Sequence, residues 1–502
     1  MYTSQNELLS REKDNPEKPF VKLHLKDGDV VIFEQHWQFD SVQSRIIGYG
    51  QRYDFNRKVI ATKRISIPLD SISLYETNKP IIDSETGRII AISIMTGINV
   101  AIGVLCLTDP KACFGSCPTF YMNEHDYFHH SDAEGFTNAI LPSMEYADID
   151  ALNNKPLNSS EFKLTMKNEA QETHCVNEVA ILAAPRNKGE KIYHNHRNKF
   201  YLSDEIIPLY KAVSNEGDIT NSLFLADQQE RFSLTDEKNL NSKEEIVLEF
   251  NHAKALSDAG LILHFRQSLL TTYLFYNAMS LMGNEVSDVF NKLETSTRAK
   301  KKFDATTKIL AGIDAYVWDE NKQKWVFQDA FNETGPIAIN KQFINIKLSK
   351  PQKKFKIKLI LNKGLWRLDY AAMSNVIKEL SPQKILPYKI ERNGKESPEA
   401  LDKINDPKKH LINLPGNTVQ LYYKMPEQNQ DYELFLYSKG YYLEWMRSDW
   451  VKDKDISKLK QMILQPRKFL KQEAKNYKKY EKEMEEIFWN SKIEQQLISG
   501  EK

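Results

Sequence analysis

The chain has 502 residues, more than one ordinary core serves, so roughly two to four domains are expected. Hydrophobic residues make up 41%, aromatics 11% and charged residues 27%, which excludes a disordered chain, a collagen-like repeat and a polytopic membrane protein. Lys+Arg number 69 and Asp+Glu 68, a formal net charge of +1, so no global field draws in nucleic acid or anionic lipid, and 4 cysteines exclude a disulfide-built mini-scaffold.

Residues 1–20 are polar, lack the apolar run of a signal peptide and read as a flexible leader. A small antiparallel β domain is expected over 21–80. There Val21–Leu25 alternates, Asp27-Gly28 turns the chain, and Val30–Phe33, Ser44–Tyr49 and Val59–Ile67 supply further strands. Ile89–Leu107 follows without a charge, close to the ~20 residues of a membrane-spanning helix. Ser93, Thr96, Asn99, Gly97 and Gly103 weaken that reading, and a buried helix or hairpin is the alternative.

A β-rich domain is expected over 108–300, with strands at Phe162–Met166, Val179–Leu182, Lys199–Leu202, Glu245–Phe250 and Leu261–Phe265. It holds one strongly helical stretch near 268–293, broken at Gly283-Asn284. A second, sandwich-like domain is expected over 301–450, from Asp314–Trp318, Lys324–Phe327, Phe343–Leu348, Lys354–Leu361, Leu365–Tyr370, Thr418–Lys424 and Tyr432–Leu436. Frequent strands with few long helices indicate sandwich or jelly-roll packing over βαβ units. In the tail, 451–502, Ile456, Leu459, Met462 and Ile463 share a helical face and Pro466 ends that helix. A second, charged helix from Lys468 reads as a solvated face. The fold class is therefore mainly β with some α.

Chemistry-bearing residues are sparse. Cys113 and Cys117, separated by a spacer with Gly115 and followed by Pro118, are the disulfide candidate; reduced structural thiols, a metal half-site with Cys175, His174 or Cys106, and a redox pair are the alternatives. His194-x-His196 would share one strand face as a metal half-site, though surface or cross-strand roles suit it better without a third ligand. His129-His130 would point to opposite faces, and Asp148/Asp150 and Glu244/Glu245 are too ordinary to suggest glycoside hydrolysis. The common phosphate-loop, dinucleotide, nucleophile-elbow and zinc-protease motifs are missing, so no catalytic residue, cofactor or resident metal is assigned. Aromatics gather at Trp318, Trp325, Trp366, Tyr422-Tyr423 and Tyr441–Trp445 before Trp450. Most belong in a core; Trp366, Tyr441, Tyr442 and Trp445 are the candidates for a binding platform if they face solvent.

Together these segments resemble a group of uncharacterised bacterial cell-envelope proteins, often lipoproteins, of Bacteroidetes type. The resemblance rests on Ile67–Ile72, the apolar run, Cys117-Pro118-Thr119-Phe120-Tyr121, Ala133–Phe136, Leu141–Asp148, Asn168-Glu169 with Glu172, Gly335-Pro336 and Gly440–Trp445, from about Val21 to Trp450. It implies a location in the periplasm or on the outer membrane, membrane association, and no catalytic residues; the alternative is a cytoplasmic protein. Lipid-anchored members would carry a signal peptide and an acylated cysteine ahead of such a polar leader, so the natural chain is expected to start further upstream. The expected function is a non-catalytic envelope scaffold or binding protein, its partner another envelope protein or a glycan and not nucleic acid. A carbohydrate-binding or carbohydrate-active protein built on the C-terminal β domain is the second reading, and a metal-dependent hydrolase the last.

Overall fold

The computed structural model describes residues 2–3, 21–25, 29–33, 37–53, 59–77, 117–122, 131–152, 160–170, 172–310, 312–332, 335–414, 416–426, 430–444 and 453–486. The apolar run 89–107 and Cys113 lie outside them. No helix among the described residues is long and apolar enough to cross a membrane. The protein is mainly β with some α.

The alternating N-terminal segments form a seven-stranded antiparallel sheet in the order Tyr2–Thr3, Ile72–Thr77, Val21–Leu25, Val30–Phe33, Arg45–Tyr53, Gln38–Asp40, with Val59–Pro68 also pairing Arg45–Tyr53. Leu23, Val31, Phe33, Trp37, Ile46 and Ile67 make its core. Tyr2 and Thr3, read as leader, pair with Glu76 and Tyr75. Buried Lys22 lies 3.8 Å from the Glu294 carboxylate, a contact between this sheet and the helical region.

Two further sheets share one core. The six-stranded sheet includes Glu161–Lys167, Thr418–Lys424, Thr119–Tyr121 and Ala133–Glu134; the five-stranded one includes Tyr146–Ala151, Asp431–Glu444 and Glu172–Arg186. Leu164, Met166, Leu421 and Tyr423 from the first meet Val179, Ile181, Leu434 and Leu436 from the second, the facing layers of a β sandwich.

The largest sheet has eight strands in the order Gly217–Asp218, Ile206–Ser214, Trp366–Asn375, Lys243–Gln267, Asn340–Asn362, Ile313–Asp319, Lys324–Phe331, with Arg231–Phe232 joined to Trp366–Asn375. Its spine is a 25-residue strand, Lys243–Gln267, paired with the 23-residue Asn340–Asn362 from Lys243 opposite Asn362 to Phe265 opposite Asn340. Each absorbs two segments that the sequence presents as separate strands, because polar residues in the middle interrupt the alternation while the pairing runs on past an irregularity near Leu256. Gly260 is needed on this spine. A Cβ there would stand 1.7 Å from the Phe343 ring, which stacks on Tyr193 and Tyr201 of a three-stranded sheet made of Lys191–His194, Phe200–Ser203 and Lys378–Leu380.

The helices cover one face of this sheet. The expected stretch splits into α1 (Leu270–Met282) and α2 (Val286–Thr295), parted by a 3-10 turn at Gly283–Glu285 where Gly283 has φ +54°. α3 (Thr297–Leu310) follows at once. Leu270, Leu274, Met279 and Phe290 share a core with Ile246, Leu248, Ile357 and Leu359.

Two expectations need correction. The boundary at 300/301 cuts through the eight-stranded sheet, whose spine joins segments on either side of it; likewise the sandwich takes strands from 119–186 and from 383–444. Pairing across such separations leaves no mark in local pattern. The tail is not a solvated appendage either. Pro466 opens rather than merely ends a helix, giving α4 (Ile456–Leu464) and α5 (Pro466–Tyr477), and Leu459, Phe469, Leu470, Tyr477 and Met484 enter the main core. Three tail carboxylates are buried with them: Glu473 accepts from the Tyr273 hydroxyl at 2.6 Å, Glu481 from the Thr235 N–H, and Glu485 from the Leu269 N–H at 2.8 Å and from Arg367.

Candidate binding surface

Most of the side chains singled out from sequence turn out to hold the fold together. Cys117 is fully buried, at φ +112°, and its N–H is taken by Glu172 Oε1, which also meets His174 Nε2 at 2.6 Å. Its thiol donates to Glu134 Oε1 at 3.4 Å, while Glu134 Oε2 accepts the N–H groups of Ile337 and Ala338, both at 2.9 Å. These contacts make one buried, hydrogen-bonded cluster of thiol, carboxylates and backbone. Its geometry ties the sandwich to the 335–338 turn beside the large sheet. No disulfide is formed among the described residues; the Cys113 partner lies outside them.

His194 and His196 do not converge. His194 is buried against Phe200 and Phe435, and burial pushes its pKa down to about 4. His196 lies in the following turn, 3.6 Å from Asp329. Among the described residues no group of three or more His, Cys, Asp or Glu is arranged to hold a metal ion. Asp148 is buried on the sandwich edge, and burial raises its pKa to about 7 despite hydrogen bonds from the Phe136 backbone and the Tyr146 hydroxyl. Glu244 is locked by Arg231 and Ser233, and Glu245 reaches Lys358.

Three of the four platform aromatics are corrected to core. Trp366 is 1% exposed and packs edge-on to Phe265 at 5.5 Å; Tyr441 and Tyr442 are 1% and 2% exposed. Each falls on the strand phase that faces a packed layer. Trp445, along with Trp450 and His125, His129 and His130, lies outside the described residues.

Another set of aromatics does reach solvent. The hairpin of Ile313–Asp319 and Lys324–Phe331 forms the rim of the large sheet. Ile313, Ala315 and Val317 point into the core, so the alternate residues Tyr316 and Trp318 point outward. In register, Tyr316 faces Phe327 and Trp318 faces Trp325. The first pair of ring centroids is 5.4 Å apart at 66°, the second 5.4 Å apart at 67°, both edge-to-face. Phe327 is 51% exposed, a costly position for so large an apolar ring. Tyr316 lies opposite Lys358 on the next strand, whose ammonium sits 5.1 Å from the Trp325 ring centroid and 5.9 Å from that of Tyr316.

Charged groups border these rings. Lys358 is 3.6 Å from Glu245 and Lys356 is 3.5 Å from Glu249. Burial raises the Asp314 carboxyl from its ordinary value, and burial with that nearby carboxylate raises Tyr316. Four aromatic rings with alternating cations and carboxylates on a rigid sheet can stack on a flat, hydroxyl-bearing ligand and hydrogen-bond around its rim. Trp318 and Trp325 were noticed in the sequence; Tyr316 and Phe327 were missed. The available signal was phase: Tyr316-Val317-Trp318 and Trp325-Val326-Phe327 put the aromatics on one side of each strand, and the hairpin shows that side to be the outer one.

No family model matches the chain, and no curated protein matches it. Among solved structures it is similar to the GH31 α-xylosidase from Xanthomonas citri, with 8% identity, 83% of this chain and 36% of that chain covered, and a TM-score of 0.15. It is also similar to the secreted serine protease VesC from Vibrio cholerae, with 8% identity, 47% of this chain and 50% of that chain covered, and a TM-score of 0.13. The chain thus spans about a third of the first structure and half of the second. Likenesses this weak carry no argument about the activity of the chain.

Proposed function

We propose that the protein is a non-catalytic binding protein of the bacterial cell envelope, and that its ligand is a carbohydrate held on the outer face of the Ile313–Phe331 hairpin. The observation that supports the reading is the outward aromatic set of half-buried Tyr316, Trp318 and Trp325 with exposed Phe327, on a sheet whose other face is packed into the main core. Sugar rings present C–H faces that stack on aromatics, and their hydroxyls suit the carboxylates and ammonium groups around them. The envelope location rests on the sequence resemblance alone.

The test is a glycan array with the intact chain, followed by calorimetry of Trp318→Ala and Trp325→Ala on any glycan bound. Each substitution weakens binding about tenfold or more while thermal stability falls only slightly, as expected for central aromatic anchors. An array without a bound glycan, or affinity untouched by both substitutions, overturns the reading.

A further inference from the structure

The aromatic face runs into a basic ribbon. Residues 251–258 and 347–354, the middle of the two spine strands, have ladder partners only in each other among the described residues. Side chains of the rim hairpin reach the near end of the second segment, Gln328 accepting from the Lys347 N–H at 3.0 Å and Asn321 donating to the Ser349 hydroxyl at 3.3 Å. Lys254, Lys350, Lys353 and Lys354 are all exposed there, and no ion pair among the described residues engages them. Lys347 is exposed as well and lies opposite Asp258. Against a formal net charge of +1 for the whole chain, four uncompensated cations on one short ribbon are a strong local excess.

Strand phase connects the ribbon to the rings. Phe355 and Ile357 are buried, so Lys354, Lys356 and Lys358 share the opposite, outer side of their strand. The row of ammonium groups therefore steps away from the Tyr316–Trp325 rings at about 7 Å per lysine, two residues of strand rise. A ligand long enough to leave the aromatic face along this strand passes over Lys356, then Lys354, and reaches the unpaired group.

We infer that the ligand of this face is an anionic polysaccharide, such as a uronic-acid chain, with neutral faces of its sugars on the rings and its acidic groups along the lysine row. This rests on the carbohydrate reading above and narrows it to a ligand class. Mixed charge on the face favours an acidic glycan over a nucleic acid. Glu245 is 56% exposed and Glu249 33%, and Asp314 stands in the same sheet; these carboxylates can accept hydrogen bonds from the hydroxyls of every sugar unit, whereas a DNA phosphodiester backbone offers no such donors. Lysine-rich strand edges also discourage sheet-to-sheet association, a role that makes no demand on ligand charge and is separated by experiment.

The probes are matched pairs differing only in charge: hexameric oligogalacturonate and its methyl ester, and a hyaluronan fragment and its carboxyl-reduced form. They are titrated into the full chain and into a Lys254→Gln/Lys350→Gln/Lys353→Gln/Lys354→Gln variant, in low and high sodium chloride. The acidic member of a pair binds at least tenfold more tightly than the neutral one, and that preference shrinks in high salt and in the variant, whose binding of the neutral member is unchanged. Equal binding of both members, or an acid preference that survives the four substitutions, overturns the anionic assignment and leaves the carbohydrate reading standing. Absence of binding to either member of both pairs overturns the anionic assignment, and the glycan array decides the carbohydrate reading separately. Tighter binding of single-stranded oligo-dT than of oligogalacturonate overturns the assignment in favour of a general polyanion site.

Discussion

The docking of the C-terminal segment makes the sharpest stability prediction. Glu485 is 5% exposed and serves two groups: the Leu269 N–H at the entry to α1, at 2.8 Å, and Arg367, whose Nε lies 3.1 Å away. Arg367 is itself 6% exposed, and a second carboxylate, Glu230, lies 3.7 Å from it. Glu485→Ala takes the nearer carboxylate away from a buried guanidinium and the acceptor away from the Leu269 amide. Removing one member of a buried charge pair typically costs about 3–5 kcal/mol, and the residual Glu230 contact puts the expected loss near the lower end, about 3 kcal/mol. Glu485→Gln keeps an acceptor in place and should lose about half as much. Urea unfolding followed by tryptophan fluorescence, with far-UV circular dichroism to check that the transitions coincide, measures the change. Trp366, 1% exposed and next to Arg367 in the chain, reports from the same locality. The decisive variant is Arg367→Met/Glu485→Met. If an unpaired buried charge is what destabilises, the double change is milder than Glu485→Ala. A loss below about 1 kcal/mol for Glu485→Ala, or a double variant worse than the sum of the single ones, refutes the reasoning.

Two other predictions follow from the same kind of accounting. Asp148 titrates at about 7 in the folded protein against an ordinary value of 3.8, because burial penalises its charged form. The folded state therefore holds a proton that the unfolded state has released; the contribution is full below the ordinary value and is lost as pH rises toward 7. Asp148→Asn should raise the melting temperature more at pH 8 than at pH 5, and an equal effect at both would contradict the assignment. Gly260→Val should disrupt the contact between the large sheet and the three-stranded sheet that carries Tyr193 and Tyr201, since its Cβ falls within the Phe343 ring. A melting temperature lowered by several degrees is expected, partly restored by adding Phe343→Ala; no recovery would show that the ring is not the obstacle.

Legibility varied from element to element for a physical reason. Local periodicity marked Val21–Leu25, Glu161–Lys167, Thr418–Lys424 and the α1–α2 stretch with its break at Gly283, since alternation and turn chemistry act over a few residues. Trp318 and Trp325 stood out as clustered aromatics without being assigned to a surface. Local pattern failed at the spine, where residues 251–260 and 349–353 fell between expected strands, although the two long strands pair through this region. It failed again for α5, whose charged residues suggested solvation although Glu473 answers Tyr273 and Glu485, just beyond it, answers Arg367.

What the amino-acid sequence determined by itself is the β-dominated composition of elements, the small N-terminal sheet and the side of each strand on which each residue stands. Which of those sides faces solvent was decided only by tertiary pairing. The same aromatic character made Trp366 core and Phe327 surface, because Trp366 lies on a strand flanked by others and facing the main core, while Phe327 lies on the outer side of the rim hairpin. Burial is a property of what packs on a face. That depends on partners tens to hundreds of residues away, so the candidate surface became visible only once Tyr316 met Phe327 and Trp318 met Trp325.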